Sequence, residues 1–418
     1  MRRITPSGNH RPTASAARKG ALLALGSEIR ETETGPMQRP KKKRELSLPL
    51  VTALVLALLA VAGLVAGCGG GSSSTSGGST EAEAETEGES AETSGEESSG
   101  GESGSSVEKI AIATPAKAND YGWNEQGVTA AEEVAEEIGA ELEQTTDIGY
   151  EQTETVLRQM AEKEPDLLIA QASGYDTAAK RVAEEFEIPT VTYDIANEVK
   201  PGILTSIITS SQEGAYLAGI LAAKTTKSGK VGVVISASDT NWFEMTGGYA
   251  AGVHSVDPKM PISFAEISAE GYDDAAGGKR VVTSMIAEGA DVIFGMGDGA
   301  SFGYLQAIET AKSSDKVWYI GDIGDMTPID KKGVLLSSVL WSFDGAFRTF
   351  VEQIDEGTFG EEAYDLNLEN EGISLLKTEH IESSVWSEIE AAKKEILAGE
   401  IEVPEATTIG EAKALLSE

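Results

Sequence analysis

The feature that most constrains this chain is a regular alternation of short apolar runs and longer segments with helical spacing, which begins at residue 107. Residues 109–114 form the first apolar run, and in residues 125–139 the side chains of Val128, Ala131 and Val134 are spaced for one face of a helix. Such alternation is typical of parallel sheets that helices cover on both faces. Because the units are too many for one ordinary sheet, the sequence predicts an α/β protein with two doubly wound lobes.

The same pattern repeats along the rest of the chain. Predicted strands cover residues 166–170, 190–194, 230–235, 262–267, 291–296, 316–321 and 334–340. Predicted helices cover residues 177–186, 212–225, 243–255, 277–288, 300–312 and 345–356. In sheets of this kind ligands bind outside the carboxyl ends of the strands, so we expect a site in the loops that follow the strands.

The acidic balance of the chain limits what it can bind. Its 418 residues carry a formal net charge of −36 at pH 7. Such a chain repels the phosphates of a nucleic acid, which argues against nucleic-acid binding. We interpret the charge as a solvated acidic surface.

The N-terminal part has the composition of an export signal. Basic residues cluster at 39–44, an apolar run covers 50–66, and Gly67 precedes Cys68, the only cysteine of the sequence. A basic region, an apolar core and a small-residue cleavage site in this order are typical of a signal peptide. Residues 64–68 (LVAGC) resemble the bacterial lipobox, which implies cleavage before Cys68 and lipidation of that cysteine.

An uncleaved membrane anchor is the alternative, because the length of the apolar run is near the lower limit for a spanning helix. In both cases the folded part lies outside the cytoplasm. We assign residues 1–67 to a leader and signal peptide, with the true start expected at Met37, just before the basic cluster. Residues 68–106 hold the lipidated cysteine and an acidic segment rich in Gly, Ser and Glu, which we expect to be a disordered tether.

Short polar residues and tryptophans follow the predicted strands. After the first strand come Asn119, Asp120, Trp123 and Asn124, and later loops carry Ser173, Gly174, Asp194, Trp242, Asp298, Asp322, Asp325 and Trp341. Tryptophan rings from both lobes suit the faces of a flat ligand, and ionised carboxylates accept hydrogen bonds from ligand hydroxyls. The alternative is that Asp and Asn cap the next helix while Trp123 lies at the edge of the core. Because Lys117 is the main cation of these loops, we expect a neutral or cationic solute rather than an anion.

Signals for catalysis or a cofactor are weak in this sequence. The glycines of residues 295–299 resemble part of a dinucleotide fingerprint, but they come late in the chain and lack its full spacing. The histidines are scattered, and the sequence has neither a zinc-ligand cluster nor a cysteine suited to act as a nucleophile. Asp298, Asp322 and Asp325 could form an acid–base set, yet no nucleophile or metal ligand accompanies them. We therefore predict a binding protein without enzymatic activity, cofactor or metal.

Four motifs are similar to those of a known family. They are residues 119–127 (NDYGWNEQG), 211–219 (SQEGAYLAG), 227–232 (KSGKVG) and 289–294 (GADVIF). Over most of the part that follows the tether, the chain resembles the basic-membrane-protein family, the purine-nucleoside type of type I periplasmic binding proteins. The resemblance implies two doubly wound lobes joined by a hinge that the chain crosses three times.

On this fold, the first lobe is expected to hold residues 107–207 and 325–358. The second lobe is expected to hold residues 208–322 and 359–400, and residues 401–418 are expected to form a C-terminal tail. A ligand would bridge the two lobes and favour the closed state of the hinge.

The resemblance also implies a role. Members of the family are partners of ABC transporters, so we expect a lipid-anchored, extracytoplasmic solute-binding protein of an importer, monomeric and working with a membrane permease. A purine nucleoside or a similar polar heterocycle is the expected ligand. Binding of another neutral or cationic solute, or a role as a ligand-sensing lipoprotein, is the alternative.

Particular ligand contacts follow from the same resemblance. Asp120, Trp123 and Asn124 would contact the ligand, residues 173–175 with Tyr175 match the second-strand loop of the family, and Asp325 falls where members bind ribose. Met245 stands where an aromatic side chain completes a sandwich around the base. Trp341 stands where a lysine usually helps to hold the sugar.

Overall fold

The structure is a computed structural model that describes residues 105–417. Its strands are β1 (Lys109–Ala113), β2 (Glu141–Thr145), β3 (Leu167–Ala170), β4 (Thr190–Tyr193), β5 (Leu204–Thr209), β6 (Val231–Ile235), β7 (Ile262–Glu266), β8 (Val292–Met296), β9 (Trp318–Ile323), β10 (Leu335–Trp341), β11 (Tyr364–Leu366) and β12 (Ile373–Leu375). Its helices are α1 (Trp123–Ile138), α2 (Thr153–Ala161), α3 (Asp176–Phe186), α4 (Ser211–Thr225), α5 (Thr240–Val256), α6 (Ala275–Ala287), α7 (Ser301–Glu309), α8 (Asp344–Glu356), α9 (Ser383–Leu397) and α10 (Ile409–Leu415), and a short 3-10 helix covers Thr327–Ile329. Among these helices, none combines the length and the apolar character that crossing a membrane requires.

The strands form two sheets of the same design. The first has the order β11-β5-β4-β3-β1-β2, and the second has the order β12-β10-β9-β8-β6-β7. All pairs are parallel except the pairing of β10 with β12. In each sheet the chain begins at a strand with neighbours on both sides and winds outward in both directions, so the prediction of two doubly wound lobes is confirmed.

The central strands are buried because helices cover both faces of each sheet. Every residue of β3 (LLIA), β6 (VGVVI) and β8 (VIFGM) is buried, as the continuous apolar runs in the sequence predict. The edge strand β2 (ELEQT) is different, because none of its side chains is fully buried. Its polar composition explains why the sequence pattern does not predict it as a strand.

The chain passes between the two sheets three times, after β5, after β10 and after β11. The predicted division into segments is wrong at two strands. β10 pairs with β9 in the second sheet, although the prediction puts residues 325–358 in the first lobe. β11 pairs with β5 in the first sheet, although it lies within the segment 359–400 that is predicted for the second lobe. The sheet that such a strand joins is decided by its pairing with a strand elsewhere in the chain. The local sequence therefore does not predict the lobe to which the strand belongs.

Helices α4 and α5 of the second lobe cross at very short range, which the glycines between them permit. A Cβ atom on Gly219 would lie 2.2 Å from the carbonyl oxygen of Tyr249, and one on Gly252 would lie 2.1 Å from that of Tyr216. The predicted C-terminal tail is also part of this packing. Its helix α10 lies against α5, and the side chain of Ala412 on it is fully buried.

Candidate functional site

The two lobes enclose a cavity of about 180 Å³ at the carboxyl ends of their strands. We call it the inter-lobe cavity. The first lobe contributes Pro115, Trp123, Tyr150, Ala172, Ser173 and Gly174 to its lining, and the second contributes Asp239, Asn241, Trp242, Tyr272, Asp298, Ile323 and Trp341. The loops after β1 and β3, and those after β6 and β8, meet here. These loops flank the point in each sheet where the winding reverses, which is where α/β sheets bind ligands.

Trp123 is the central residue among those that the first lobe contributes to the lining of the inter-lobe cavity. It is the first residue of α1, and its indole Nε1–H donates to the backbone carbonyl of Gln171 at 2.9 Å. Its ring makes edge contacts with Tyr193 at 5.0 Å and with Phe343 at 5.3 Å between ring centroids. A third edge contact, at 5.9 Å, joins it to Trp341 of the second lobe. The indole is therefore held in place while part of it lines the inter-lobe cavity.

The polar residues beside Trp123 have a structural task. The carboxylate of Asp120 accepts backbone N–H bonds from Gly122, Asn124 and Glu125 at 3.0–3.2 Å. It also accepts the side-chain amide of Asn124 at 2.6 Å, and the oxygen of that amide accepts the N–H of Ala116. Both side chains are buried and organise the start of α1. The capping alternative thus describes Asp120, which accepts N–H groups of the first turn, whereas Asn124 lies within α1 and holds Asp120 and the loop at Ala116. Neither side chain lines the inter-lobe cavity.

In the second lobe, Trp242 is fixed by a buried carboxylate. Its indole Nε1–H donates to Oδ2 of Asp322 at 3.0 Å, and the N–H of Ile323 donates to Oδ1 of the same residue at 2.9 Å. Asp322 is only 4% exposed, and its burial raises the pKa of the carboxyl to about 8. The ring of Trp242 lies at 5.3 Å from that of Tyr272, tilted by 45°, so two aromatic side chains form this part of the lining.

Two carboxylates reach the inter-lobe cavity from the second lobe. Asp298 accepts the backbone N–H of Trp123 at 3.3 Å through Oδ1, which links it to the first lobe. Asp239 caps α5 by accepting the N–H of Asn241 at 3.0 Å, and it also accepts the hydroxyl of Tyr272 at 3.3 Å. Each carboxylate therefore has a fixed position at the wall of the cavity.

The surroundings disfavour the ionised form of both carboxyl groups. The pKa of Asp298 is raised well above its ordinary value, first by burial and then by the negative charge of Asp120. The pKa of Asp239 is raised to about 6, again by burial first and then by the charge of Asp194. Tyr150 at the mouth of the cavity has its pKa raised to about 12 by burial and by the same acidic groups.

Further contacts hold the lobes together around the inter-lobe cavity. Asn241 of the second lobe donates to Oδ1 of Asp194 at 3.2 Å and accepts the hydroxyl of Thr209 at 3.0 Å, and both partners belong to the first lobe. At another point the rings of Tyr121 and Phe302 meet edge to face at 6.2 Å. The described structure is accordingly a closed arrangement of the two lobes.

The structure separates the predicted site residues into three groups. Trp123, Ser173, Gly174, Trp242, Asp298 and Trp341 line the inter-lobe cavity. Asp322 and Asp194 lie behind the lining and hold Trp242 and Asn241, respectively. Asn119, Asp120, Asn124, Tyr175, Met245 and Asp325 lie outside the lining.

The last group has clear local roles or none at all. Tyr175 is buried in the first lobe and donates its hydroxyl to the carbonyl of Gly149, and Met245 is fully buried in the core of the second lobe. Asp325 is exposed and accepts the N–H of Thr327 at 2.8 Å, while Asn119 is exposed on its loop. The aromatic surface that the family resemblance expects near Met245 is supplied by Trp242, three residues earlier.

Seven residues of the lining are absent from the predicted site, and four of these have polar side chains: Tyr150, Asp239, Asn241 and Tyr272. Asp239 and Asn241 precede Trp242 in a loop that the sequence already indicates. Tyr150 follows strand β2, which the sequence pattern does not predict, so the rule that ligands bind after strand ends does not indicate this loop. Tyr272 follows β7, where the rule of searching after each strand end finds it.

Neither a basic side chain nor a metal site is found at the inter-lobe cavity. Within residues 105–417, no Lys, Arg or His lines it. Over the same range, no group of His, Cys, Asp and Glu side chains is arranged to hold a metal ion. The lining therefore offers aromatic faces, carboxylates, an amide and hydroxyls.

The fold and the inter-lobe cavity define a two-lobed α/β protein of the solute-binding class. The family described as ABC transporter substrate-binding protein, PnrA-like, matches residues 107–407, and the chain belongs to this family. The resemblance inferred from the four sequence motifs is thereby confirmed. The family consists of solute-binding proteins rather than enzymes.

Two solved structures share the fold. An ABC transporter solute-binding protein from Aeropyrum pernix K1 has a TM-score of 0.64 at 21% identity, over 74% of this chain and 98% of that one. A solute-binding protein from Conexibacter woesei DSM 14684 has a TM-score of 0.60 at 22% identity, over 72% and 99%. At these identities the likeness shows the architecture alone.

One curated relative has a named ligand class. The ABC transporter nucleoside-binding protein BmpA of Lactococcus lactis subsp. cremoris MG1363 is 30% identical over 217 residues. The match covers 48% of this chain and 60% of the relative. The chain therefore spans less than two thirds of that relative's length.

Proposed function

We propose that this chain is a lipid-anchored, extracytoplasmic substrate-binding protein of an ABC importer. It captures a small polar heterocyclic solute, such as a purine nucleoside, between its two lobes and presents it to a membrane permease. The observation that carries the proposal is the inter-lobe cavity, which lies at the winding reversals of both sheets and takes its lining from both lobes.

The lining suits a flat ring with polar substituents. Trp123 from the first lobe and the pair Trp242 and Tyr272 from the second supply aromatic surface on both sides of the cavity. Asn241 and Ser173 add an amide and a hydroxyl for hydrogen bonds. The volume of about 180 Å³ favours a compact ligand, since sites for drug-sized molecules usually exceed about 300 Å³. The nucleoside-binding relative supports a nucleoside as the first class to examine.

Capture by closure follows from the way in which the lobes are joined. The chain passes between the sheets three times, so the lobes can rotate about these three segments. Because the lining is divided between the lobes, a ligand gains its full set of contacts only in the closed state. Ligand binding therefore shifts the population toward closure.

The anchoring part of the proposal rests on sequence, because Cys68 lies outside the described residues. The order of basic cluster, apolar run and Gly67-Cys68 supports a cleaved signal peptide and a lipidated cysteine. The acidic, Gly- and Ser-rich segment after it is suited to hold the two lobes away from the membrane surface.

Thermal unfolding of the full chain in detergent, with purine nucleosides, free bases, sugars and amines added in turn, tests the proposal. A ligand present at about 100 times its Kd stabilises the folded state by about 2.7 kcal/mol, which raises the Tm of a domain of this size by about 4 °C. We expect a nucleoside to produce such a rise. If no heterocyclic solute raises the Tm, the proposed ligand class is wrong.

A pair of tryptophan variants shows where the ligand binds. Trp123→Ala removes an indole from the lining and should abolish the rise in Tm. Trp386→Ala is the matched control, since Trp386 lies on α9 outside the lining, below the ammonium group of Lys377 at 5.1 Å. The control should keep the full rise. A rise that persists in Trp123→Ala would show that this tryptophan only supports the fold.

A further inference from the structure

We propose that the ligand carries a positive charge, which it places between the aromatic side chains and the two carboxylates of the inter-lobe cavity. The proposal rests on the proposed function, because it assumes that this cavity is where a solute binds. It goes further by naming the chemical class: a compact organic cation, such as a protonated or quaternary nitrogen on a heterocycle or a small amine.

The first observation is the concentration of aromatic side chains. Five of the residues that line the cavity are Trp or Tyr: Trp123, Tyr150, Trp242, Tyr272 and Trp341. The face of an aromatic ring is the negative end of its quadrupole, so it attracts a cation, and indole attracts it most strongly. A lining of this composition is typical of sites that hold quaternary or protonated nitrogen.

The second observation is that the carboxylates of the lining lack a cationic partner. Among the ion pairs of residues 105–417, none includes Asp239 or Asp298. Oδ2 of Asp298 receives no hydrogen bond from any residue in this range, so it keeps its lone pairs for a donor on the ligand. A desolvated carboxylate is stabilised by an opposite charge. No ion pair among the described residues supplies that charge here, so a cationic ligand can supply it.

More carboxyl groups lie behind the lining. Asp322 lies under Trp242, and Asp194 contacts Asn241. Asp273 accepts the N–H of Gly299, the residue next to Asp298, at 3.2 Å. Carboxyl groups therefore surround the inter-lobe cavity on several sides, and a cation, unlike a neutral molecule of the same shape, stabilises their ionised forms.

The third observation is a buried donor that has no partner. Trp341 is 2% exposed and lines the inter-lobe cavity, and its indole Nε1–H lies near the carboxyl group of Asp322 without completing a hydrogen bond of normal geometry to any described residue. An unpaired buried donor costs free energy unless the ligand supplies an acceptor. The ligand that fits best thus combines a positively charged nitrogen with one hydrogen-bond acceptor, such as a hydroxyl or a ring carbonyl.

Two pairs of probes vary the charge of the ligand: the first pair has matched shapes, and the cation of the second pair carries one additional methyl group. Choline is compared with 3,3-dimethylbutan-1-ol, in which carbon replaces the nitrogen, and 1-methyladenosine is compared with adenosine. Binding to the full chain in detergent is measured by calorimetry at pH 7. We expect the cationic member of at least one pair to bind at least about tenfold more tightly than its neutral counterpart, because cation–π attraction in a desolvated site has about that magnitude.

Variants of the two carboxylates of the lining test where the positive charge of the ligand binds. Asp298→Asn keeps an oxygen for the N–H of Trp123 but removes the negative charge, and it should reduce the ratio of cation binding to neutral binding by about tenfold to a hundredfold. Asp239→Asn should act in the same direction, so the test does not depend on one variant. Asp315→Asn removes an exposed charge from the same lobe and is the control. Circular dichroism verifies that each variant is folded.

The outcomes are distinguishable from failure of the proposed function. If adenosine binds as tightly as 1-methyladenosine or more tightly, and choline shows no advantage over its neutral counterpart, the positive charge is wrong but capture of a heterocycle stands. If a cation is preferred equally by the wild-type chain and by both lining variants, the placement at these carboxylates is wrong and the inference is overturned. If neither member of either pair binds, the inference is overturned together with the proposed ligand class.

Discussion

Replacement of Asp322 by Asn is expected to make the stability of the protein less dependent on pH, because it removes a buried ionisable side chain. Asp322 is 4% exposed and accepts hydrogen bonds from Trp242 and Ile323. Within residues 105–417 it has no ion-pair partner. Its amide replacement keeps an acceptor oxygen for one of these two bonds, presents an NH2 group to the other donor, and carries no charge that must be desolvated. The lost bond lowers stability equally at every pH, whereas the loss of the ionisable group removes a term that changes with pH.

The magnitude follows from the shifted pKa of Asp322. Burial raises it from the ordinary value of 3.8 to about 8. Between these two values the folded state keeps a proton that the unfolded state has lost. The free energy of unfolding therefore falls as pH rises, by about 1.4 kcal/mol per pH unit from this group alone. Its contribution is fully present below pH 3.8, and between pH 5 and pH 7 about 2 to 3 kcal/mol of it is lost.

Urea unfolding at pH 5, 6 and 7, followed by tryptophan fluorescence, measures this difference. The unfolding free energy of Asp322→Asn minus that of the wild-type chain should increase by about 2 to 3 kcal/mol between pH 5 and pH 7. Equal m-values are required for the comparison, because a changed m-value means a changed unfolding transition. Asp315→Asn, which alters an exposed residue, should run parallel to the wild type. Parallel curves for Asp322→Asn as well would refute the reasoning, since they would mean that Asp322 is ionised in the folded state.

Two further predictions concern the core and the anchor. Gly252→Ala should lower the free energy of unfolding by about 2 to 4 kcal/mol, because the added Cβ meets the carbonyl of Tyr216 at 2.1 Å in a backbone contact that cannot yield. The control Gly410→Ala, in a helix where the Cβ meets only open space and Thr408 at 3.9 Å, should leave stability unchanged or raise it by up to about 1 kcal/mol, and equal effects of the two variants in urea unfolding would contradict the packing argument. Cys68→Ser should abolish incorporation of labelled palmitate into the chain in bacterial cells, and labelling that survives the substitution would exclude this cysteine as the lipid site.

The central strands could be predicted from sequence because a strand that is buried on both faces consists almost entirely of apolar residues. Residues 230–235 and 291–296 read as apolar runs, and the structure has β6 at Val231–Ile235 and β8 at Val292–Met296. A strand at the edge of a sheet is only partly buried and need not be apolar, so the polar strand β2 is not predicted. The three-residue strand β11 is missed for another reason, since its pairing with β5 joins residues far apart in the chain.

The site could be predicted as far as strand ends determine it. Each sheet brings the ends of its parallel strands to one edge. Trp123 after β1, Trp242 after β6 and Trp341 at the end of β10 therefore line the same cavity although they are far apart in sequence. The direction of a side chain within a loop or helix is not determined in this way. Tyr175 lies beside the lining residue Gly174 but points into the core of the first lobe, and its hydroxyl bonds the carbonyl of Gly149.

If the proposed function holds, closure of the lobes and capture of the solute depend on the same group, the carboxyl of Asp298. Its Oδ1 accepts the N–H of Trp123, the first residue of α1, so a carboxylate of the second lobe lies at the positive end of a helix in the first lobe. Its second oxygen is available to a ligand in the inter-lobe cavity. When the lobes separate, the carboxylate loses the helix end, and a ligand held by both lobes loses one of them. On the proposed function, a solute that binds Asp298 in the closed state would therefore stabilise the contact that Asp298 makes between the lobes.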